Sequence, residues 1–147
     1  MKIKQIYTSC LSQASYYIES NGESLIIDPI KDINEYDKII KKDNSKLKYV
    51  LETHFHADFI SGHLEISNKY NVPIVFGPHS NTSYKSMSLN HNDTIKLGDI
   101  SIKVLHTPGH TLESVCYLLY DNKNKEKALF TGDTLFIGDI GRPDLAV

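Results

Sequence analysis

The stretch Thr-His-Phe-His-Ala-Asp-Phe-Ile-Ser-Gly-His, residues 53–63, follows directly on an apolar run at residues 49–51. It places two histidines and a carboxylate within five residues, at the end of a predicted strand. Alternate residues of extended backbone point to the same side. His54, His56 and Asp58 are therefore predicted to converge at the C-terminal edge of a sheet. Two imidazoles and a carboxylate favour a divalent metal such as zinc or iron.

Two later segments carry further potential ligands. The segment Leu-His-Thr-Pro-Gly-His-Thr, residues 105–111, follows a strand-like run, and its Pro-Gly turn leaves His110 just beyond the strand end. The segment Ala-Leu-Phe-Thr-Gly-Asp-Thr, residues 128–134, ends another apolar strand at Asp133. Three predicted strands thus end in potential ligands, and strand ends are where open sheets commonly build their sites.

Hydrophobic periodicity and turn residues predict an α/β (α+β) domain. The predicted helices cover residues 32–42 and 59–70, and the predicted strands cover residues 2–7, 14–19, 24–27, 47–52, 72–76, 94–97, 100–105, 115–120 and 127–130. This order predicts a mixed β-sheet with helices on one face and an uncovered opposite face. An uncovered apolar face predicts a homo-oligomer in which chains cover one another.

Composition narrows the function class. The 147 residues suit a single domain, 40% are hydrophobic and 23% are charged, and the net charge of −2 does not favour nucleic acid or an anionic membrane. No apolar run approaches the ~20 residues that span a membrane. The N-terminus predicts a strand rather than a leader, and Cys10 and Cys116 match no zinc or disulfide spacing. A cytoplasmic, reducing location is the resulting expectation.

The segments THFHAD, TPGHT and FTGD resemble, in order, the metal motifs of the metallo-β-lactamase superfamily. The segments QASYY, LIIDP, ETHFHAD and GDIGRPDL are similar to those of bacterial persulfide dioxygenases, with glyoxalase II enzymes as close relatives. The resemblance implies an αββα sandwich over residues 1–147, mainly its N-terminal half, with the C-terminal half and its last metal-site histidine missing.

The resemblance also implies a ligand set of His54, His110 and Asp133, with His56 as a possible further ligand. His56 and Asp58 are the expected catalytic or orienting groups at the metal. Position 59 is phenylalanine where the superfamily pattern has a histidine, which favours one metal ion over two.

The activity implied is that of a non-haem iron(II) persulfide dioxygenase, which oxidises a low-molecular-weight thiol persulfide with O2 to sulfite and thiol. Arg142 is the expected contact for the carboxylate of the thiol carrier, with Asp144 orienting it, and Asp28 is the expected buttress beneath the site. Two alternatives stay open. One is a mononuclear zinc hydrolase of the glyoxalase II type acting on thioesters, and the other is an inactive metal-binding fragment.

Overall fold

The structure, a computed structural model, describes residues 1–144. Leu145, the last residue of the quoted GDIGRPDL segment, lies outside the described residues. Within residues 1–144 the chain forms ten strands and two α-helices. They are β1 (Lys2–Thr8), β2 (Gln13–Ser20), β3 (Glu23–Ile27), α1 (Asn34–Asp43), β4 (Lys46–Leu51), α2 (His63–Tyr70), β5 (Ile74–Phe76), β6 (Met87–Ser88), β7 (Thr94–Leu97), β8 (Ile100–His106), β9 (Val115–Tyr120) and β10 (Glu126–Phe130). Neither helix in this part of the chain is both long and apolar enough to cross a membrane.

The strands form two sheets. The first sheet has the order β1-β2-β3-β4-β5-β6, antiparallel from β1 to β3 and parallel from β3 to β6. The second sheet has the order β10-β9-β8-β7 and is antiparallel throughout. The predicted turn at Asn21-Gly22 joins β2 to β3, and both residues have positive φ, 51° and 79°, as two-residue hairpin turns require.

Helix α1 packs on the outer face of the first sheet. Its residues Tyr36, Ile39 and Ile40 recur at helical spacing and are buried in a cluster with Ile26 and Val50 of that sheet. Helix α2 also contacts strands β4 and β5. The helices therefore lie on one face of the first sheet, as the sequence predicts.

The other face of the first sheet is not uncovered, so this part of the prediction is wrong. The second sheet lies against it, and Ile102, Val104 and Tyr117 pack in one buried cluster with Ile27 and Leu51. The alternation of apolar and polar residues along β8 and β9 predicts that one face of each strand is buried. It does not predict to which sheet the strands belong. Within residues 1–144 the structure is thus a layer of helices and two sheets.

The face that does remain open is the outer side of the second sheet. Leu118 of β9 and Leu129 of β10 are directly paired across that side, and Leu129 is 47% exposed. This leucine pair, which has Lys103 beside it on the same side, lies on the second sheet rather than the first, and the oligomer stays a prediction.

Helix α2 begins four residues later than predicted, at His63. Ser61 forms an isolated bridge with Ile30, and the Gly62 amide donates to the Pro29 carbonyl. A side chain at position 62 would lie 2.3 Å from the Ile30 carbonyl oxygen, so Gly62 permits this close approach. Residues 59–62 are consequently tied to the loop after β3 instead of extending the helix.

Candidate metal centre

Three loops from the two sheets meet at one edge of the molecule. His54 lies in the loop after β4, His110 in the loop after β8, and Asp133 in the single turn of 3-10 helix, Gly132–Thr134, after β10. One ligand atom of each residue lies within 4.8 Å of the others. His110 Nε2 is 3.6 Å from Asp133 Oδ2, and the His54 and His110 ring centroids are 5.0 Å apart. The structure therefore brings together the three residues expected as ligands, and metal binding by them stays a prediction.

Two contacts join the sheets directly beneath this cluster. The buried Tyr117 hydroxyl donates to the Glu52 carbonyl oxygen at 2.8 Å, and the Val115 amide donates to the Thr53 carbonyl oxygen at 2.9 Å. One backbone hydrogen bond and one from a buried tyrosine hydroxyl therefore connect the segments that carry His54 and His110.

His54 is held by a short hydrogen-bonded chain. The Thr53 hydroxyl donates its one proton to Asp28 Oδ2 at 2.7 Å, so its oxygen can accept from His54 Nδ1 at 3.0 Å. His54 Nε2 is then left with a free lone pair. Burial lowers the pKa of His54, and the charge of nearby His56 lowers it further. The imidazole is therefore favoured in the neutral form that binds metals.

Asp28 is the buttress expected from the sequence. It is buried, and its two oxygens accept from the Thr53 amide and the Thr53 hydroxyl, both at 2.7 Å. Burial alone would raise the pKa of Asp28, but hydrogen bonding and charge from His56, together with the Thr53 donors, outweigh it and lower that pKa. Asp28 thus stays ionised beneath the site.

His56 lies beside His54, with ring centroids 4.3 Å apart, but its Nε2 faces other residues and Asp58 does not join them, so the predicted convergence of the three on one point is wrong. Strand β4 ends at Leu51, and the alternation of extended backbone does not continue through the following loop. His56 Nε2 lies 3.2 Å from Asp28 Oδ1 and 3.1 Å from Glu52 Oε2, and its side chain is only 4% exposed. Burial would lower the pKa of His56, but the two carboxylates outweigh it and raise the pKa to about 10. His56 is thus an imidazolium between two carboxylates.

Asp58 is exposed and belongs to neither cluster of potential ligands within residues 1–144. In this structure Asp28, and not Asp58, is the carboxylate hydrogen-bonded beneath His54, while the role expected of Asp58 stays a prediction. Phe59, which replaces the superfamily histidine, packs its ring on His56 with centroids 4.3 Å apart. An aromatic hydrocarbon therefore occupies the position from which a second metal ligand would come.

Arg142 is exposed, and its guanidinium forms a two-point contact with Asp144, at 2.6 and 3.1 Å. The expected orientation of Arg142 by Asp144 is present in the structure. Sequence reasoning missed a second function of this residue, because the Arg142 carbonyl oxygen accepts from His110 Nδ1 at 3.2 Å. That bond directs His110 Nε2 towards Asp133.

Gly141 was also missed as a site residue. A Cβ at this position would lie 1.8 Å from the Asp133 carbonyl oxygen and 3.2 Å from His110 Cβ. Only glycine permits the backbone to pass so close to two expected ligands. The recurrence of glycine around Asp133, at positions 132 and 141, is the signal that could have indicated this close approach.

Glu52 is the other residue that the sequence did not single out. It is buried, and its Oε1 accepts from the Ser61 hydroxyl at 2.7 Å, while Oε2 faces His56. His63 Nδ1 lies 3.4 Å from Glu52 Oε1, and His63 Nε2 lies 2.8 Å from the Tyr84 hydroxyl. Glu52 therefore connects the helix α2 side of the site to His56.

A cleft of about 450 Å³ opens beside Asp133. Its walls combine aromatic side chains such as Tyr16 and Phe130 with polar ones such as Gln13 and His56. Such a combination is typical of small-molecule sites.

Comparison with known proteins places the chain in a family. The family model described as the metallo-beta-lactamase superfamily matches residues 8–85 and 88–146. This chain therefore belongs to the metallo-β-lactamase superfamily, in agreement with its two sheets and its clustered histidines and aspartate.

Curated relatives include a hydroxyacylglutathione hydrolase of Francisella philomiragia, 35% identical over 143 residues, which are 96% of this chain and 55% of that enzyme. A hydroxyacylglutathione hydrolase of Dictyostelium discoideum is 36% identical over 131 residues, 84% of this chain and 47% of that enzyme. The chain thus spans about half the length of the curated relatives it matches.

Solved structures give the same fold. A metallo-beta-lactamase from Staphylococcus aureus is 44% identical with a TM-score of 0.90, covering 99% of this chain and 47% of that one. ETHE1 from Myxococcus xanthus is 28% identical with a TM-score of 0.87, covering 99% of this chain and 63% of that one.

Proposed function

We propose that this chain holds one metal ion on His54, His110 and Asp133 and belongs to a non-haem iron(II) persulfide dioxygenase. The donor set carries the proposal. Two imidazoles and one carboxylate, with other coordination positions open, are the ligands typical of non-haem iron(II) oxygenases. A third imidazole, from His56, would suit a catalytic zinc site, but its Nε2 faces Asp28 and Glu52.

The hydrogen bonds made by the other ring nitrogens of the two histidines also fit such an ion. Metal-binding histidines usually donate their other ring N–H to an oxygen, which fixes the ring and its tautomer. His54 has the Thr53 hydroxyl in that position, and His110 has the Arg142 carbonyl oxygen. Iron(II) bound there would supply the redox chemistry that a reaction with O2 needs.

The proposed substrate is a thiol persulfide. With one water, a persulfide RSSH and O2 give RSH, sulfite and two protons. The cleft beside Asp133 would hold the thiol carrier, with Tyr16 and Phe130 packing against its apolar parts and Gln13 offering it a hydrogen bond. Arg142 would exchange Asp144 for a carboxylate of the carrier, since a guanidinium binds carboxylates at two points.

The second candidate is a thioester hydrolase of the glyoxalase II type, using zinc-activated hydroxide. The names of the curated relatives support this candidate more directly than they support the dioxygenase. The side chain at position 59 argues against its two-metal form, because phenylalanine cannot ligate a metal. A single-zinc form of the hydrolase remains compatible with the three ligands.

Turnover assays distinguish the two candidates. The chain, prepared without oxygen and loaded with iron(II) or zinc, would be given glutathione persulfide with O2, and separately S-lactoylglutathione. The dioxygenase proposal predicts persulfide-dependent O2 uptake and sulfite formation by the iron form, lost in His110→Ala. The matched control is His79→Asn at an exposed histidine of positive φ, a conformation that asparagine tolerates. Thioester cleavage without O2 uptake would overturn the dioxygenase in favour of the hydrolase.

A further inference from the structure

His56 lies close enough to the candidate metal centre that its position needs an explanation. Its ring centroid is 4.3 Å from that of His54, nearer than the 5.0 Å between His54 and His110. His56 is thus the imidazole nearest to an expected ligand among these three histidines, yet it is not part of the cluster that the three ligands form. Something on the protein must therefore hold His56 away from the other ligands.

Two carboxylates contact His56, and they differ in the hydrogen bonds that they accept from other residues. Both oxygens of Asp28 already accept short hydrogen bonds from Thr53, at 2.7 Å. Glu52 divides its oxygens, with Oε1 accepting from Ser61 and Oε2 facing His56 at 3.1 Å. Asp28 Oδ1 also contacts His56, at 3.2 Å, but it accepts from the Thr53 amide as well. Glu52 Oε2 faces His56 without another hydrogen-bond donor among the described residues.

Glu52 is itself fixed in place. Its side chain is 1% exposed, and the Ser61 hydroxyl and His63 Nδ1 lie on the side away from His56. Phe59 packs on the His56 ring and restricts it from another direction. A buried carboxylate with fixed neighbours and one oxygen facing an imidazole can hold that imidazole in one rotamer.

We propose that Glu52 is a positioning residue that withdraws His56 from the metal centre and so restricts the centre to two imidazoles and one carboxylate. The inference rests on the proposed metal centre. Its chemical consequence is metal preference, since a third imidazole would favour zinc and a hydrolytic site. The glutamate before the His-x-His motif therefore selects the type of centre that the motif builds.

The test counts imidazole ligands by X-ray absorption spectroscopy on the zinc-loaded chain. Wild type is expected to show two imidazoles per zinc, and Glu52→Gln three, because the amide removes the one carboxylate oxygen that faces His56 and accepts from no other described group. The double variant Glu52→Gln with His56→Gln should return to two. Glu65→Gln, the same substitution at an exposed glutamate of α2, is the matched control and should keep two.

A folding defect in Glu52→Gln would be bypassed with Glu52→Asp, which keeps the charge but shortens the side chain by one methylene. Two imidazoles in both Glu52 variants, or three in wild type, would overturn the inference while leaving a metal centre in place. Failure of the metal centre itself is a distinct result, seen as zinc binding that His110→Ala does not reduce.

Discussion

The stability of the metal-free chain should fall as the pH rises above neutrality, because of one buried imidazolium. In an unfolded chain His56 has a pKa near 6.5, whereas in the folded protein Asp28 and Glu52 raise its pKa to about 10. A group whose pKa is higher in the folded state stabilises that state when protonated. The contribution of protonated His56 to the free energy of unfolding is complete below about pH 6.5 and is lost as the pH rises through about 10.

The magnitude follows from proton linkage. Between those limits the unfolded chain has released the proton of His56 and the folded chain has kept it. The free energy of unfolding should then decrease by about 1.4 kcal/mol per pH unit, or roughly 3 kcal/mol from pH 7.5 to 9.5. Because domains of this size are stable by roughly 5–15 kcal/mol, the decrease is large enough to measure.

Urea unfolding in the presence of a chelator, repeated across this pH range, measures the slope. A titration of the His56 ring carbon by NMR measures the pKa itself. Glu52→Gln removes one of the two carboxylates and should flatten the slope, whereas the same substitution at the exposed Glu65 should leave it unchanged. A His56 resonance that titrates near pH 6.5, or a slope equal in wild type and Glu52→Gln, would refute the ion cluster described here.

Three further predictions concern other parts of the chain. Gly141→Ala should weaken zinc binding at least about tenfold, because its Cβ would lie 1.8 Å from the Asp133 carbonyl oxygen. An affinity equal to that of wild type in a competition titration would contradict this. Tyr117→Phe should destabilise the fold by roughly 1–3 kcal/mol in urea unfolding, because the buried Glu52 carbonyl oxygen loses its donor; a loss below about 0.5 kcal/mol would contradict it. We also propose that the chain self-associates through the open face of the second sheet. Sedimentation velocity should then show oligomers in wild type and monomers in Leu129→Glu. A wild-type monomer at all concentrations would count against this proposal.

The three expected ligands could be found from the sequence because each stands at the end of a predicted strand. His54, His110 and Asp133 are separated by many residues, yet the rule that sheets gather their sites at strand ends relates them. The resemblance to the superfamily then selected these three from the seven histidines and the many carboxylates. Their proximity in the structure agrees with that reasoning.

The position of His56 could not be found in the same way. Its rotamer depends on Asp28, 28 residues earlier in the chain, and on Glu52, which reaches it only because the loop after β4 is irregular. Alternation along a strand predicts which side a residue faces but fails once the strand ends. The assignment of β7–β10 to a second sheet was missed for a related reason, since burial patterns within strands do not specify which strands pair.

The most direct measurement is the metal content of the chain, purified without oxygen and reloaded with a single metal, for wild type and for His110→Ala and Asp133→Asn. One ion per chain in wild type, and none retained at the same free-metal concentration by either variant, is the predicted result. Two ions per chain, or one ion bound equally well without His110 or the Asp133 carboxylate, would contradict a single-metal centre on His54, His110 and Asp133.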